Sequence, residues 1–293
     1  MKVIETDKLT KYYGKSRGII DLNIEVGQGE FLGFVGPNGA GKSTAIRTLL
    51  GLISPTSGSA SVLGLDIGKS RTEILSRVGY LPSETAFYNG MRVSEVLELS
   101  ARLRGIDCTK EAAVLCERLQ LDKTKKIRQL SLGNRKKVGI VCALQHLPEL
   151  YILDEPTSGL DPLMQQEFYN ILKERNSQGA TVFLSSHILS EVARYCGRAV
   201  VIREGRIIAA DTLSALSAKG FRRVTLKGAN VPPLLDGISE VRREDSEVTF
   251  AYRGEAGKLI RALSDLEFDD ITITEPSLDE IFMDYYTAEE GHR

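Results

Sequence analysis

The sequence predicts an α/β domain carrying a helical insertion, followed by a small α+β domain. Three observations carry that prediction. Apolar, β-branched stretches alternate with helix-period segments through about residue 212, the pattern of βαβ units with helices on both faces of a parallel sheet. From Val93 to Leu150 the alternation gives way to helical spacing. After Leu213 it changes again, to short strands with one helix-period segment.

In chain order, Ile4–Thr10 and Ile19–Val26 read as strands joined by the polar turn Tyr13-Gly14-Lys15. Phe31–Val35 is a short apolar run, as a strand covered on both faces requires, and Ile46, Leu49 and Leu50 behind it have helical spacing. The insertion holds Val93, Val96, Leu97, Leu99 and Leu103, then Val114, Leu115 and Leu119, with Pro and Gly sparse. Tyr151–Leu153, Thr181–Leu184 and Ala199–Arg203 are further strands. In the tail, Val224–Leu226 and Ile271–Thr274 read as strands, and Ile238–Arg243 and Val248–Tyr252 as a hairpin around Glu244-Asp245-Ser246. Lys258–Leu266 has helical spacing, and Ser277 with Glu280 matches a capping box. The expected domains are 1–215, with a helical subdomain at about 87–150, and an acidic α+β domain at 220–293.

The 293 residues are 42% hydrophobic and 26% charged, which excludes disorder, collagen-like repeats and a disulfide-stapled miniprotein. No apolar run approaches the ~20 residues that cross a bilayer, and an acidic residue stands where a signal peptide has its apolar core. The chain is therefore expected to be soluble and cytosolic. Its 4 cysteines have no C-x-x-C spacing and read as small buried hydrophobes of a reducing compartment. The net charge of −1 hides an asymmetry. Residues 1–219 carry 29 Lys+Arg against 23 Asp+Glu, and residues 220–293 carry 9 against 16.

Gly36-Pro37-Asn38-Gly39-Ala40-Gly41-Lys42-Ser43-Thr44 is a full G-x-x-x-x-G-K-[ST] match, preceded by a strand and followed by a helical pattern. Glycines let the backbone wrap a polyphosphate with its N–H groups pointing inward, and the helix offers its positive end to the same charge. Lys42 then places a cation on the β- and γ-phosphates, and the Ser43 hydroxyl is poised for Mg²⁺. Leu150–Glu155 is an apolar strand ending in two carboxylates, costly to bury without a cation nearby. Asp154 would reach the metal, while Glu155 would orient and deprotonate a water beside the γ-phosphate.

The order of these two motifs with Leu130-Ser131-Leu132-Gly133-Asn134, Ser158-Gly159-Leu160-Asp161 and His187 resembles the ATPase subunits of ABC transporters, over residues 1 to about 215. The tail resembles, less specifically, the small C-terminal domain of many bacterial exporter ATPases. The resemblance implies a P-loop NTPase core of ABC type, with an antiparallel β subdomain and a helical subdomain. It implies that Tyr13 stacks on adenine, with Tyr12 competing, that Asp161 belongs to a loop linking two subunits, and that His187 contacts the γ-phosphate. Ser131 and Gly133 would close over ATP held by the other subunit, so that ATP joins a homodimer or a pair of ATPase subunits.

Three positions in two motifs depart from the family pattern. Leu132 and Asn134 replace the usual glycine and glutamine of the signature, while the phosphate-facing Ser131 and Gly133 are kept. Ser83 stands where the family commonly has a glutamine that touches Mg²⁺ and the attacking water; a shorter serine implies altered coupling.

The basic run of Arg118, Lys123, Lys125, Lys126, Arg128, Arg135, Lys136 and Lys137 reads either as a solvated face or as attraction to acidic lipid or triphosphate. No aromatic is interleaved, so no nucleic-acid partner is expected. The leading reading is a cytosolic ATPase peripheral on the inner face of the membrane. It uses ATP and Mg²⁺ and drives a separate transmembrane permease, for export of a drug, antibiotic, lipid or other small molecule. The segment 87–129 and the Ser83 loop are the expected docking surface, with Phe87, Tyr88 and Met91 either exposed or packed inward. The alternatives are a non-transport ABC ATPase and an ATP-gated regulatory protein with weak turnover.

Overall fold

A computed structural model of the chain describes residues 1–218, 221–229, 231–274 and 280. The chain forms two compact units, Met1–Ala210 and Asp211–Arg293. The first begins with β1 (Lys2–Tyr13), β2 (Ser16–Leu22), β3 (Glu25–Gly27) and β4 (Phe31–Val35), then α1 (Lys42–Leu49), β5 (Ser57–Val62), β6 (Leu65–Asp66), α2 (Arg71–Arg77) and β7 (Val78–Leu81). The helical insertion follows as α3 (Val93–Arg102), α4 (Thr109–Arg118) and α5 (Leu132–Leu144). The chain then returns through β8 (Leu150–Asp154), α6 (Pro162–Ser177), β9 (Thr181–Ser186), α7 (Leu189–Tyr195), β10 (Arg198–Arg203) and β11 (Arg206–Thr212).

Two sheets share one core. The central sheet has the order β11-β10-β4-β9-β8-β7, and its pairs from β10 to β7 are parallel. Every residue of β4, β8 and β9 is buried, which is why these strands lack the alternation of a half-exposed strand. One face packs through Phe34, Ile152, Phe183 and Val200 onto Ala45, Ile46 and Leu49 of α1. The same cluster takes in Ile4, Leu9, Ile19, Leu22 and Val62 from the antiparallel sheet β2-β1-β5-β6, to which β3 adds by pairing with β1. Helix α6 packs on β9, α7 on β4 and β9, and α5 on β7.

The expected strand Ile19–Val26 is broken into β2 and β3. The Thr6 hydroxyl donates to Leu22 O and accepts from Ile24 N, so a side chain takes over the ladder at that point. The stretch from Val93 to Leu150 is helical in α3, α4, a 3₁₀ turn at Ile127–Gln129 and α5, but its last residue already belongs to β8. Helix α5 starts at Leu132, because Ser131 caps it by accepting from Asn134 N. The basic run is not one solvated face. Arg118 ties α4 to α6 by binding Glu167 and Glu174, and Lys136 and Lys137 are buried.

The second unit holds α8 (Leu213–Ala218), β12 (Arg222–Lys227), β13 (Ile238–Glu244), β14 (Glu247–Tyr252), α9 (Ala256–Ser264) and β15 (Asp270–Thr274). Its strands pair antiparallel in the order β13-β14-β12-β15. Leu259 and Leu263 of α9 pack on Val224, Leu226, Val248, Phe250 and Tyr252. The expected hairpin is β13–β14, and the expected helix ends earlier, at Ser264. Ser277 of the expected capping box lies outside the described residues. Among the described residues, no helix is long and apolar enough to cross a membrane, and no cluster of metal-ligating side chains occurs. The four cysteines are free thiols.

Candidate active site

The strand register brings the sequence motifs to one edge. Val35 lies opposite Ser186, Asp154 opposite Ser185, and Leu81 opposite Leu153. The turns that follow β4, β8, β9 and β7 therefore leave the sheet side by side at its carboxyl end, where open α/β sheets bind ligands. They carry the phosphate loop, Glu155, His187 and Ser83, respectively.

The loop Gly36–Gly41 is fitted to its neighbours backbone to backbone. A Cβ at Gly36 would lie 2.3 Å from Ile202 O, and Gly41, which precedes α1, has φ 109° and room only for glycine beside Gly18 O. Lys42 is only 5% exposed, and its Nζ donates to Gly36 O at 2.7 Å and to Pro37 O at 3.2 Å. Ser43 and Thr44 follow in the first turn of α1, whose N-terminal end, with Asn38, Gly39 and Ala40 before it, faces the same loop.

Glu155 joins the other groups. Its Oε1 lies 3.3 Å from Lys42 Nζ and 3.2 Å from His187 Nδ1. The residue holds φ 47°, a left-handed conformation uncommon for a side chain of this kind, stabilised by its N–H donating to Ser185 O at 3.1 Å. Asp154 is 1% exposed; Oδ1 accepts from Ser185 Oγ at 2.5 Å, while Oδ2 is buried without a partner. A buried carboxylate oxygen left unpaired is costly, and a hard cation is the partner that suits it. The Ser43 hydroxyl, in the first turn of α1, is a second oxygen donor of the kind Mg²⁺ takes.

Tyr13, at the end of β1, is 47% exposed and neighbours the loop. A Cβ at Gly18 would lie 2.9 Å from Thr44 Cγ2 and 3.2 Å from Tyr13 Cε2. Lys11 Nζ stands over the Tyr13 ring, 5.5 Å from its centre. Tyr12, at 38% exposure, occupies the next position on the strand and faces the opposite side.

Ser131 and Gly133 begin α5, and Leu132 between them is 75% exposed. Gly133 lies against the loop before α6, where a Cβ would meet Gly159 O at 2.6 Å. Asp161 caps α6 by accepting from Met164 N at 3.0 Å. Ser83 is placed by its backbone, since its carbonyl accepts from Lys136 Nζ at 2.9 Å. Burial pulls the Lys136 ammonium down to about 8, while Asp154 and Glu155 nearby raise it.

Sequence reasoning missed two of these residues. Ser185 acts through a cross-strand register that no local pattern reveals, and Lys136 was hidden in a run of surface-like charge. His146, without an expected role, is buried; its Nε2 lies 3.3 Å from Val78 O and burial lowers its pKa to about 4.

The family model described as ABC transporter matches residues 19–158. The bacitracin transport ATP-binding protein BcrA of Bacillus licheniformis is 36% identical over 96% of this chain and 96% of its own length. The linearmycin resistance ATP-binding protein LnrL of Bacillus subtilis is 33% identical over 78% of this chain and 76% of its own. A solved structure of an ATP binding subunit of an ABC transporter superposes with a TM-score of 0.69 at 32% identity, over 73% of this chain and 91% of that one. A relative aligned nearly end to end, on a fold that brings the phosphate loop and the β8 carboxylates to one edge, shows that the chain belongs to the ATP-binding subunits of ABC transporters.

Proposed function

We propose that the chain hydrolyses Mg-ATP and uses the cycle to drive a separate membrane permease that exports an antibiotic, drug or other small molecule. The observation that carries the hydrolytic part is the pair of contacts at Glu155, whose one oxygen lies 3.3 Å from Lys42 Nζ and 3.2 Å from His187 Nδ1. Glu155 is a carboxylate set to accept a proton from water beside a cation that holds the γ-phosphate. His187 donates to the same phosphate, and the phosphate-loop N–H groups and Lys42 hold the β- and γ-oxygens. Ser43 and Asp154 would hold Mg²⁺, which neutralises charge on the β- and γ-oxygens when bound. Tyr13 stacks on the base.

Ser131 and Gly133 stand at the start of α5, whose N-terminal dipole suits an anion. They cap the nucleotide of a second cassette, so that two subunits enclose ATP between them. The relatives named for bacitracin transport and linearmycin resistance support export as the direction and antibiotics as the cargo class. Docking on the permease uses the segment 87–129 with the Ser83 loop. Tyr88 at 76% and Leu103 at 78% exposure support that assignment, while Phe87 and Met91 are half-buried. On this reading the subunit works at the cytoplasmic face of the membrane.

Phosphate release from Mg-ATP tests the reading. Wild-type protein is expected to turn over and Glu155→Gln to lose at least about 100-fold, the range of a general base. Equal rates in the two proteins would refute it. Co-expression with a permease that co-purifies with it should protect cells from an antibiotic such as bacitracin or linearmycin in a manner that Glu155→Gln abolishes.

A further inference from the structure

Helix α5 carries a buried cation that the reading above leaves without a task. Lys136 is 4% exposed, and its Nζ donates to two consecutive carbonyls, Pro82 O at 3.2 Å and Ser83 O at 2.9 Å. Strand β7 ends at Leu81, so these carbonyls lie beyond the ladder. Asp154 and Glu155 are the anions near enough to act on the ammonium, and no carboxylate pairs with it directly among the described residues. Burying an ammonium is costly, and two neutral acceptors do not need one, since a neutral amide would serve them. The charge is explained by what it faces: one end of a cation bridge lies on the Ser83 backbone and the other in the field of the β8 carboxylates. Three residues earlier on the same helix is Gly133, and two before that is Ser131, the group set to meet the partner's nucleotide.

We propose that Lys136 is a positioning residue of the hydrolytic site, fixing the Pro82–Ser83 backbone beside Asp154 and Glu155 and tying it to the helix that begins with Ser131 and Gly133. The proposal rests on the ATPase reading and deepens it. In a chain with serine where a longer glutamine is usual, placement of that loop comes from its backbone, held from behind. A shift of α5 on pairing with a second cassette would move the Ser83 segment directly.

The test compares wild type with Lys136→Met and Lys136→Arg. Readouts are kcat and KM for Mg-ATP, the Kd for a fluorescent ATP analogue, the thermal midpoint, and backbone hydrogen exchange over residues 82–86. For Lys136→Met, kcat should fall at least about tenfold, the loss of one charge-assisted contact, with Kd within about twofold. Its thermal midpoint should be unchanged or higher, since a buried cation is gone, and the amides of that segment, from Ser83 on, should exchange faster. Lys136→Arg, which keeps the charge and donors, should recover most of kcat. The proposal is overturned if Lys136→Met keeps kcat within about twofold of wild type, if kcat, Kd and thermal midpoint fall together as a merely structural role demands, or if Lys136→Arg behaves as Lys136→Met. Should wild-type protein release no phosphate, the ATPase reading fails; the exchange measurement, which needs no turnover, then decides the positioning claim, and unchanged exchange over 82–86 refutes it.

Discussion

Replacing Lys42 by methionine keeps the length of the side chain and removes its charge and its three donors. The ammonium is 5% exposed and is shared among Gly36 O, Pro37 O and Glu155 Oε1. None of these contacts is with a phosphate, so the binding cost comes from the two charge-assisted contacts the cation would make to the β- and γ-oxygens. At about 1.5–3 kcal/mol each, their loss weakens ATP binding by about 10²–10⁴-fold. Folding should suffer less. The variant gives up two hydrogen bonds to carbonyls but also a buried cation, and Glu155 keeps His187, so the net change is within about 1 kcal/mol. Titration with a fluorescent ATP analogue at fixed ionic strength, alongside thermal melting, measures both quantities. A Lys42→Met protein that binds ATP within about threefold of wild type would refute the assignment of the phosphate loop.

Other outcomes follow from the same geometry. Burial lowers the pKa of His146 from its usual 6.5 to about 4, so the unfolded chain takes up a proton that the folded chain refuses, and stability is lost as pH falls from about 6.5 toward about 4. Between pH 7 and about pH 5 this amounts to about 2 kcal/mol, and His146→Gln, which can still donate to Val78 O, should abolish that part of the loss in urea unfolding. Gly133→Ala puts a methyl 2.6 Å from Gly159 O, so the start of α5 or the loop before α6 must move; a loss of about 1–3 kcal/mol in stability and slower phosphate release at unchanged Kd are expected. Truncation after Ala218 removes an acidic module that carries none of the site residues; pairing measured by sedimentation with Mg-ATP should weaken, or turnover should change.

What could be read from the sequence was what is local. The phosphate loop is nine consecutive residues between a strand and a helix, and the β8 carboxylates end an apolar run, so spacing alone announced both. The edge on which they meet depends on strand register, a long-range property; nothing in Thr181–Ser186 says that Ser185 will face Asp154 and hold its Oδ1. The break at Asn23 was hidden because a threonine hydroxyl, not a turn residue, interrupts the ladder. Lys136 was misplaced for a simpler reason. Charge counts treat lysine as a surface residue, whereas α5 is buried on most of its circumference and draws the ammonium inward to carbonyls that β7 leaves unpaired. The charge asymmetry, by contrast, was legible at once, because counting along the chain separates a basic first part from an acidic second one.

The central claim is that one chain holds ATP and a second chain completes the site through Ser131 and Gly133. Sedimentation of Glu155→Gln at saturating Mg-ATP tests it most directly, because that variant keeps every phosphate-binding group while losing the group proposed as the base. The account predicts an ATP-dependent dimer that Lys42→Met cannot form. A Glu155→Gln protein that binds ATP yet remains monomeric would contradict it.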